Sequence, residues 1–269
     1  MLSRRHLLLS GFAASVAACA RPAAKGPAAK GNVLTVAATA VPHAEILKAI
    51  TPDLAAQGIA LEVKVFNDYV QPNLQVDQGL IDANYFQTLP YLEAFNKERG
   101  TKLVTVAGVH VEPFGGYSRK HKAIADLPQG AVIALPNDPS NTGRALILLH
   151  KNGLITLKDP ANINATLKDI AANPKGFVFR ELESPSLPRV LPEVDLALIN
   201  TNYALDAKLD PKKDALIIEG ADSPYINYLV TRADKKDDPR IKALAVALTS
   251  PKVRAFILNT YQGAVVPAF

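Results

Sequence analysis

The chain has 269 residues, 48% hydrophobic and 20% charged, enough to bury one large core or two smaller ones, which excludes a disordered or fibrous chain. Its formal charge of +5 sits in residues 1–32, where Arg4, Arg5, Arg21, Lys25 and Lys30 meet no acid, so the remainder is electrically balanced. A nucleic-acid partner is therefore excluded: neither a basic footprint nor a basic stripe interleaved with aromatics is present.

The N-terminus reads as an export signal, with Arg4-Arg5 ahead of an apolar stretch from Leu7 to Ala18. That stretch is too short for a permanent span, which needs about 20 apolar residues. Val16-Ala17-Ala18-Cys19 has the pattern cut by the lipoprotein signal peptidase, which predicts a signal peptide over 1–18 and lipid on Cys19. Cys19 is the only cysteine, so the mature chain has no disulfide and no Cys-ligated metal. Ser3-Arg4-Arg5-His6-Leu7-Leu8 also resembles a twin-arginine signal. Residues 19–32, rich in Ala, Pro, Lys and Gly, read as a flexible tether holding a domain at the envelope membrane, on the periplasmic side.

Val33–Ala38 then reads as a buried strand, Ala44–Gln57 as a helix closed by Gly58, and Leu61–Phe66 as an alternating strand. A helix near Pro72–Gln78, a strand at Ala83–Phe86, a helix over Leu89–Arg99 and extended chain at Leu103–Val111 follow. The middle third predicts strand Ala131–Leu135, helix Thr142–Asn152, strand Phe177–Leu182, helix Ser186–Leu191, strand Asp195–Ile199, helix Tyr203–Ala207 and strand Ala215–Ile218. The end predicts strand Tyr225–Val230 and helices Arg240–Leu248 and Pro251–Tyr261. This alternation is the mark of an α/β protein with mostly parallel sheets. Turn-rich segments at Glu112–Gly116 and Ala221–Pro224 are the candidate crossings between two lobes, 33–113 plus 225–269 and 114–224, with a cleft between them.

No dinucleotide fingerprint, P-loop, H-E-x-x-H or G-x-S-x-G is present, and His6, His43, His110, His121 and His150 lack metal-ligand spacing. The reading is of a non-enzyme with no cofactor and no metal. What stands out is a set of polar-aromatic clusters at strand ends. They are Phe66-Asn67-Asp68-Tyr69-Val70-Gln71-Pro72-Asn73, Asp82-Ala83-Asn84-Tyr85-Phe86-Gln87 with Pro90-Tyr91-Leu92, Pro136-Asn137-Asp138-Pro139 and Gly143-Arg144-Ala145-Leu146. Leu187-Pro188-Arg189, Ile199-Asn200-Thr201-Asn202-Tyr203-Ala204 and Asp222-Ser223-Pro224-Tyr225-Ile226-Asn227 complete it. In this order, from about Val33 to the C-terminus, they resemble the methionine-binding lipoproteins of the NlpA family.

The resemblance implies a two-lobed periplasmic-binding-protein fold that delivers methionine, L or D, to the permease and ATPase of an ABC importer. It places ligand contacts on Tyr69, Phe86, Tyr91, Arg144, Asn202 and Asn227. The residue chemistry agrees. A guanidinium suits a carboxylate, and Arg144 falls in the first turn of the predicted Thr142–Asn152 helix; the two Asn side chains can serve carboxylate and ammonium; aromatics suit a thioether. The competing readings are core packing for the three aromatics and capping or turn roles for the asparagines, with capping favoured for Asn200. Glu112-Pro113 reads as a marker of the crossing, with a cleft-facing carboxylate as the alternative. One departure is Thr88, where much of the family has His, which leaves another amino acid or a short methionine-containing peptide as alternative cargo. An enzyme on the same fold would need a nucleophile–base pair or a metal cluster in the cleft, and none is visible.

Overall fold

The computed structural model describes residues 32–220 and 223–269; the leader, Cys19 and most of the tether lie outside them, as does Asp222. The first part of the chain forms β1 (Val33–Ala38), α1 (Glu45–Ala56), β2 (Ala60–Val65), α2 (Gln71–Asp77), β3 (Ala83–Thr88), α3 (Leu89–Arg99) and β4 (Leu103–Val111). After one crossing come β5 (Gly115–Tyr117), β6 (Val132–Pro136), α4 (Pro139–Lys151), β7 (Thr156–Leu157), β8 (Ile170–Ala172) and β9 (Val178–Leu182). A 3₁₀ turn at Ser184–Val190 leads to β10 (Leu196–Ile199), α5 (Thr201–Asp206), α6 (Pro211–Asp214) and β11 (Ala215–Ile218). The chain then crosses back into β12 (Ile226–Arg232), α7 (Pro239–Leu248), α8 (Pro251–Tyr261) and β13 (Val266–Pro267).

Two main sheets result, ordered β13-β4-β12-β3-β1-β2 and β11-β5-β10-β6-β9. The expectation of mostly parallel sheets is corrected. β1 pairs parallel with β2 and β3, and β6 with β9 and β10, but β12 is antiparallel to β3 and β4, and β5 is antiparallel to β10 and β11. The reason is the crossings. A strand that returns from the other lobe enters its sheet from the cleft end, and so runs against neighbours that were built outward toward the cleft. Gly115-Gly116, read as part of a turn, belongs to β5, where a Cβ on Gly116 would meet the Ile217 side chain at 2.8 Å. Periodicity cannot reveal a three-residue strand of two glycines and a tyrosine.

Each sheet is covered by helices and owns its core. Leu34 and Val36 on β1 pack with Ile46, Ile50 and Leu54 of α1 and Leu244 of α7 around the first sheet. Ile133 and Leu135 on β6 pack with Leu146 and Leu149 of α4 and Leu196 and Leu198 of β10 in the second. Two separate apolar clusters joined by two short crossings make a two-lobed molecule, because each core excludes water without the other. Among the described residues no helix is long and apolar enough to cross a membrane.

Candidate functional site

The register of the first sheet brings Asn227 and Thr88 to the cleft, with His110 buried beside them. On β12, Asn227 pairs with Thr88 at the end of β3 and with His110 on β4. Behind β3, an amide cluster fixes its end. Asn73 Nδ2 donates to Gln87 Oε1 at 2.9 Å, Gln87 Nε2 donates to Asn73 Oδ1 and Asn84 Oδ1 at 2.6 and 2.8 Å, and Asn84 Nδ2 donates to Asn73 Oδ1 at 2.9 Å. These three buried amides satisfy one another, so the end of β3 that carries Phe86 and Thr88 is held by directed bonds as well as by packing.

From the second lobe, β10 ends in Asn200, whose extended backbone starts α5 and presents Thr201 and Asn202. Asn200 occupies the capping position, yet its side chain makes no capping bond. Its Nδ2 donates instead to Asn141 Oδ1 at 2.9 Å, which corrects the capping expectation for the side chain. α4 begins at Pro139 with Asp138 as its cap, accepting from Asn141 N at 3.0 Å. Arg144 therefore lies in the second turn, beyond the reach of the free N–H groups at the helix terminus. The preceding Gly143 has no room for a side chain, since a Cβ there would lie 2.1 Å from Ile163 O.

Arg144 is buried and committed. Its Nε and Nη2 donate to the Glu219 carboxylate at 2.9 and 2.5 Å, and Nη2 also donates to Glu112 O at 2.8 Å. The guanidinium lies 4.2 Å from the Tyr225 ring centroid and 5.2 Å from that of Phe114. Burial alone would lower its pKa, and the Glu219 carboxylate more than restores it, so the side chain stays cationic. Glu219 also accepts from Phe114 N and Ser223 Oγ, which ties both interlobe crossings to this arginine. Glu219 carries no signature along the chain, because an acid just past a strand looks like any solvated loop residue.

Tyr69 spans the cleft. Its hydroxyl donates to Asn202 Oδ1 at 2.6 Å, and its ring packs 5.7 Å from Phe86, 5.6 Å from Tyr91 and 5.1 Å from Tyr203. Tyr91 Oη donates to Tyr69 O at 3.0 Å, and Tyr203 Oη donates to Asn67 O at 3.3 Å. The two lobes are thus in contact over a shared aromatic wall. Tyr69, Phe86, Tyr91, Arg144, Asn202 and Asn227 line one interlobe cavity. Thr88, Glu112, Asn141, Asn200 and Thr201 complete most of its polar lining.

Beneath Asn227 lies a buried chain of titratable groups that spacing along the sequence could not reveal. Glu112 Oε1 is 2.7 Å from His110 Nε2 and 3.2 Å from His43 Nε2, and the nearby Asn202 backbone N–H favours the carboxylate's charged form. His43 Nδ1 meets Thr39 Oγ1 at 2.7 Å, His110 Nδ1 meets the Tyr85 hydroxyl, and His43 Nε2 is 3.1 Å from Asn227 Oδ1. The assignment that satisfies the contacts puts each imidazole proton on Nε2, His110 donating to the Glu112 carboxylate and His43 to Asn227 Oδ1, with the hydroxyls donating to Nδ1. Burial lowers the His43 pKa to about 4, against the pull of Glu112, and that of His110 to about 3. Burial likewise raises Glu112, while His43 and Arg144 draw it back. His43, His110 and Glu112 stand close enough to hold a metal ion, but the pairing of every ring nitrogen accounts for them as a hydrogen-bonded chain.

The NlpA lipoprotein family profile matches residues 34–269. The chain belongs to that family. It is 43% identical over 265 residues to the methionine-binding lipoprotein MetQ of Bacillus subtilis, covering 97% of this chain and 96% of that one. To the D-methionine-binding lipoprotein MetQ of Escherichia coli it is 43% identical over 225 residues, covering 83% and 82% of the two chains. Among solved structures, a nutrient binding protein from Burkholderia cenocepacia bound to methionine superposes with a TM-score of 0.85 at 46% identity, covering 88% of this chain and all of that one. An ABC transporter periplasmic substrate-binding protein from Coxiella burnetii gives 0.83 at 44% identity, covering 87% of this chain and all of that one. NlpA-family membership accounts for the two-lobed architecture.

Proposed function

We propose that the protein captures methionine, L or D, between its lobes and delivers it to the permease and ATPase of an ABC importer, acting as a binding component and not as an enzyme. One observation carries the reading. A single interlobe cavity joins an aromatic wall, Tyr69, Phe86 and Tyr91, to a polar end holding Arg144, Asn202 and Asn227. That division matches an amino acid with an apolar, polarizable side chain. The names of the MetQ relatives and the methionine-bound neighbour support it.

A thermal-shift screen of free amino acids and methionine dipeptides tests the assignment. Methionine is expected to give the largest shift. Norleucine should give a smaller one, since a small change in an apolar side chain is worth about 1–3 kcal/mol. Glutamate and lysine should give none, because the aromatic wall offers their charges no partner. A shift with a polar or charged amino acid and none with methionine would reject the thioether pocket. Thr88 lines the same cavity, and its hydroxyl makes no hydrogen bond among the described residues, so the dipeptide arm also reads out a larger cargo.

We also propose that Cys19 carries the lipid that anchors the chain at the envelope, on the strength of Val16-Ala17-Ala18-Cys19 and the lipoprotein relatives. Intact mass of the membrane fraction should show loss of residues 1–18 and added acyl chains. Undiminished membrane association of Cys19→Ser would reject the anchor.

A further inference from the structure

We infer that Glu112, with Asn200 beside it, is the receptor for the ligand's α-ammonium, so that the site selects cargo bearing a protonated amine. The inference rests on the methionine reading above and goes beyond it by dividing the polar end of the cavity into a donor side and an acceptor side.

The donor side follows from which atoms are already spent. Asn202 Oδ1 accepts from Tyr69, and Asn227 Oδ1 faces His43 Nε2. Each amide is thereby oriented with its oxygen engaged and its Nδ2 left over, and among the described residues nothing accepts from Asn202 Nδ2, Asn227 Nδ2 or Arg144 Nη1. Three residual donors lining one cavity are complementary to a carboxylate and repel an ammonium. The expectation that an asparagine could serve the ammonium is therefore displaced, and that group needs acceptors elsewhere.

Two cavity-lining residues supply them. Asn200 spends its Nδ2 on Asn141, and its Oδ1 is buried with no partner. A buried acceptor left open is costly in a folded chain unless something fills it. Glu112 is the second. Its carboxylate receives the His110 imidazole N–H and has the Asn202 backbone N–H nearby favouring its charged form, which leaves acceptor capacity for a further donor. No lysine or arginine among the described residues reaches that carboxylate within 4.0 Å, because the nearest cation, Arg144, is held in a fork by Glu219. Two carboxylates thus share one guanidinium, and the geometry gives it to Glu219. A buried anion with only uncharged donors around it is most stabilised by a cation arriving from the cavity.

Isothermal titration of the full-length mature protein with L-methionine and with 2-hydroxy-4-(methylthio)butanoate decides the matter. The second compound keeps the carboxylate and thioether and exchanges the amine for a hydroxyl. Wild-type protein is expected to bind it at least about thirtyfold more weakly, as for loss of one partner in a buried charged pair. Glu112→Gln should weaken methionine by a similar factor and leave the hydroxy acid within about threefold of its wild-type affinity. A general disturbance of the site would lower both together. Asn200→Ala leaves the histidine–glutamate chain untouched, and should weaken methionine about tenfold, the loss of one charge-assisted bond, without weakening the hydroxy acid. Equal wild-type affinity for the two compounds, or parallel losses in both variants, would overturn the inference while leaving methionine as the cargo. Absence of methionine binding to the wild type would remove the reading of the site and this inference with it.

Discussion

Arg144→Ala is expected to lower the unfolding free energy of the ligand-free protein by about 3–5 kcal/mol, in addition to abolishing tight ligand binding. The side chain is buried and bonded through two nitrogens to Glu219, which is itself nearly buried. Removing the cation strands that carboxylate among Phe114 N, Ser223 and the Tyr225 ring, where water cannot replace a guanidinium. The loss should appear as a reduced urea midpoint at unchanged m-value. The double variant Arg144→Ala/Glu219→Gln should recover a large part of it, because the remaining partner is then neutral. Binding should not recover, since Arg144 is the one arginine lining the cavity among the described residues. Undiminished stability of the single variant would show that Arg144 serves only the ligand. Undiminished affinity would show that it serves only the fold.

Acidification is expected to destabilise the protein between about pH 6.5 and pH 4, well above the range in which surface carboxylates titrate. In the unfolded chain His43 and His110 bind protons near 6.5, whereas in the folded protein they do so only near 4 and 3. As pH falls through this window the unfolded state holds more protons than the folded one, so stability drops, each histidine contributing on the order of 2–3 kcal/mol by pH 4.5. Glu112 works in the opposite direction. Its pKa is raised by burial, so the folded state takes up its proton earlier than the unfolded chain and part of the loss is returned. Urea titrations at pH 7.5, 6.0 and 5.0 should show a falling midpoint, and the fall should shrink in His43→Gln, which cannot titrate. A flat profile would mean that the two rings are charged, or open to water, in the folded state.

The sequence by itself determined the periodic elements. Leu89–Arg99 and Pro251–Tyr261 form helices over the ranges their patterns imply, and Val33–Ala38 and Ala215–Ile218 form the expected strands, because each buries one repeating face and is bounded by Pro, Gly or a capping residue. Ordered clusters also carried the family resemblance and the six candidate contacts, since polar-aromatic groups at strand ends are unusual enough to read without coordinates. Only the tertiary structure decided strand direction, because the same alternation serves a strand running either way, and only the return of the chain from the other lobe sets β12 against β3 and β4. It also decided where helix α4 begins, three residues before the predicted start, since Asp138 and Pro139 rather than the apolar period set its first turn. The largest tertiary contribution lies at the polar end of the cavity. Glu219 meets Arg144 across 75 positions, and His43 meets Asn227 across 184. Hydrogen bonds between residues so far apart leave no local period or spacing in a sequence, because what fixes them is the register of two sheets and the closure of one lobe on the other.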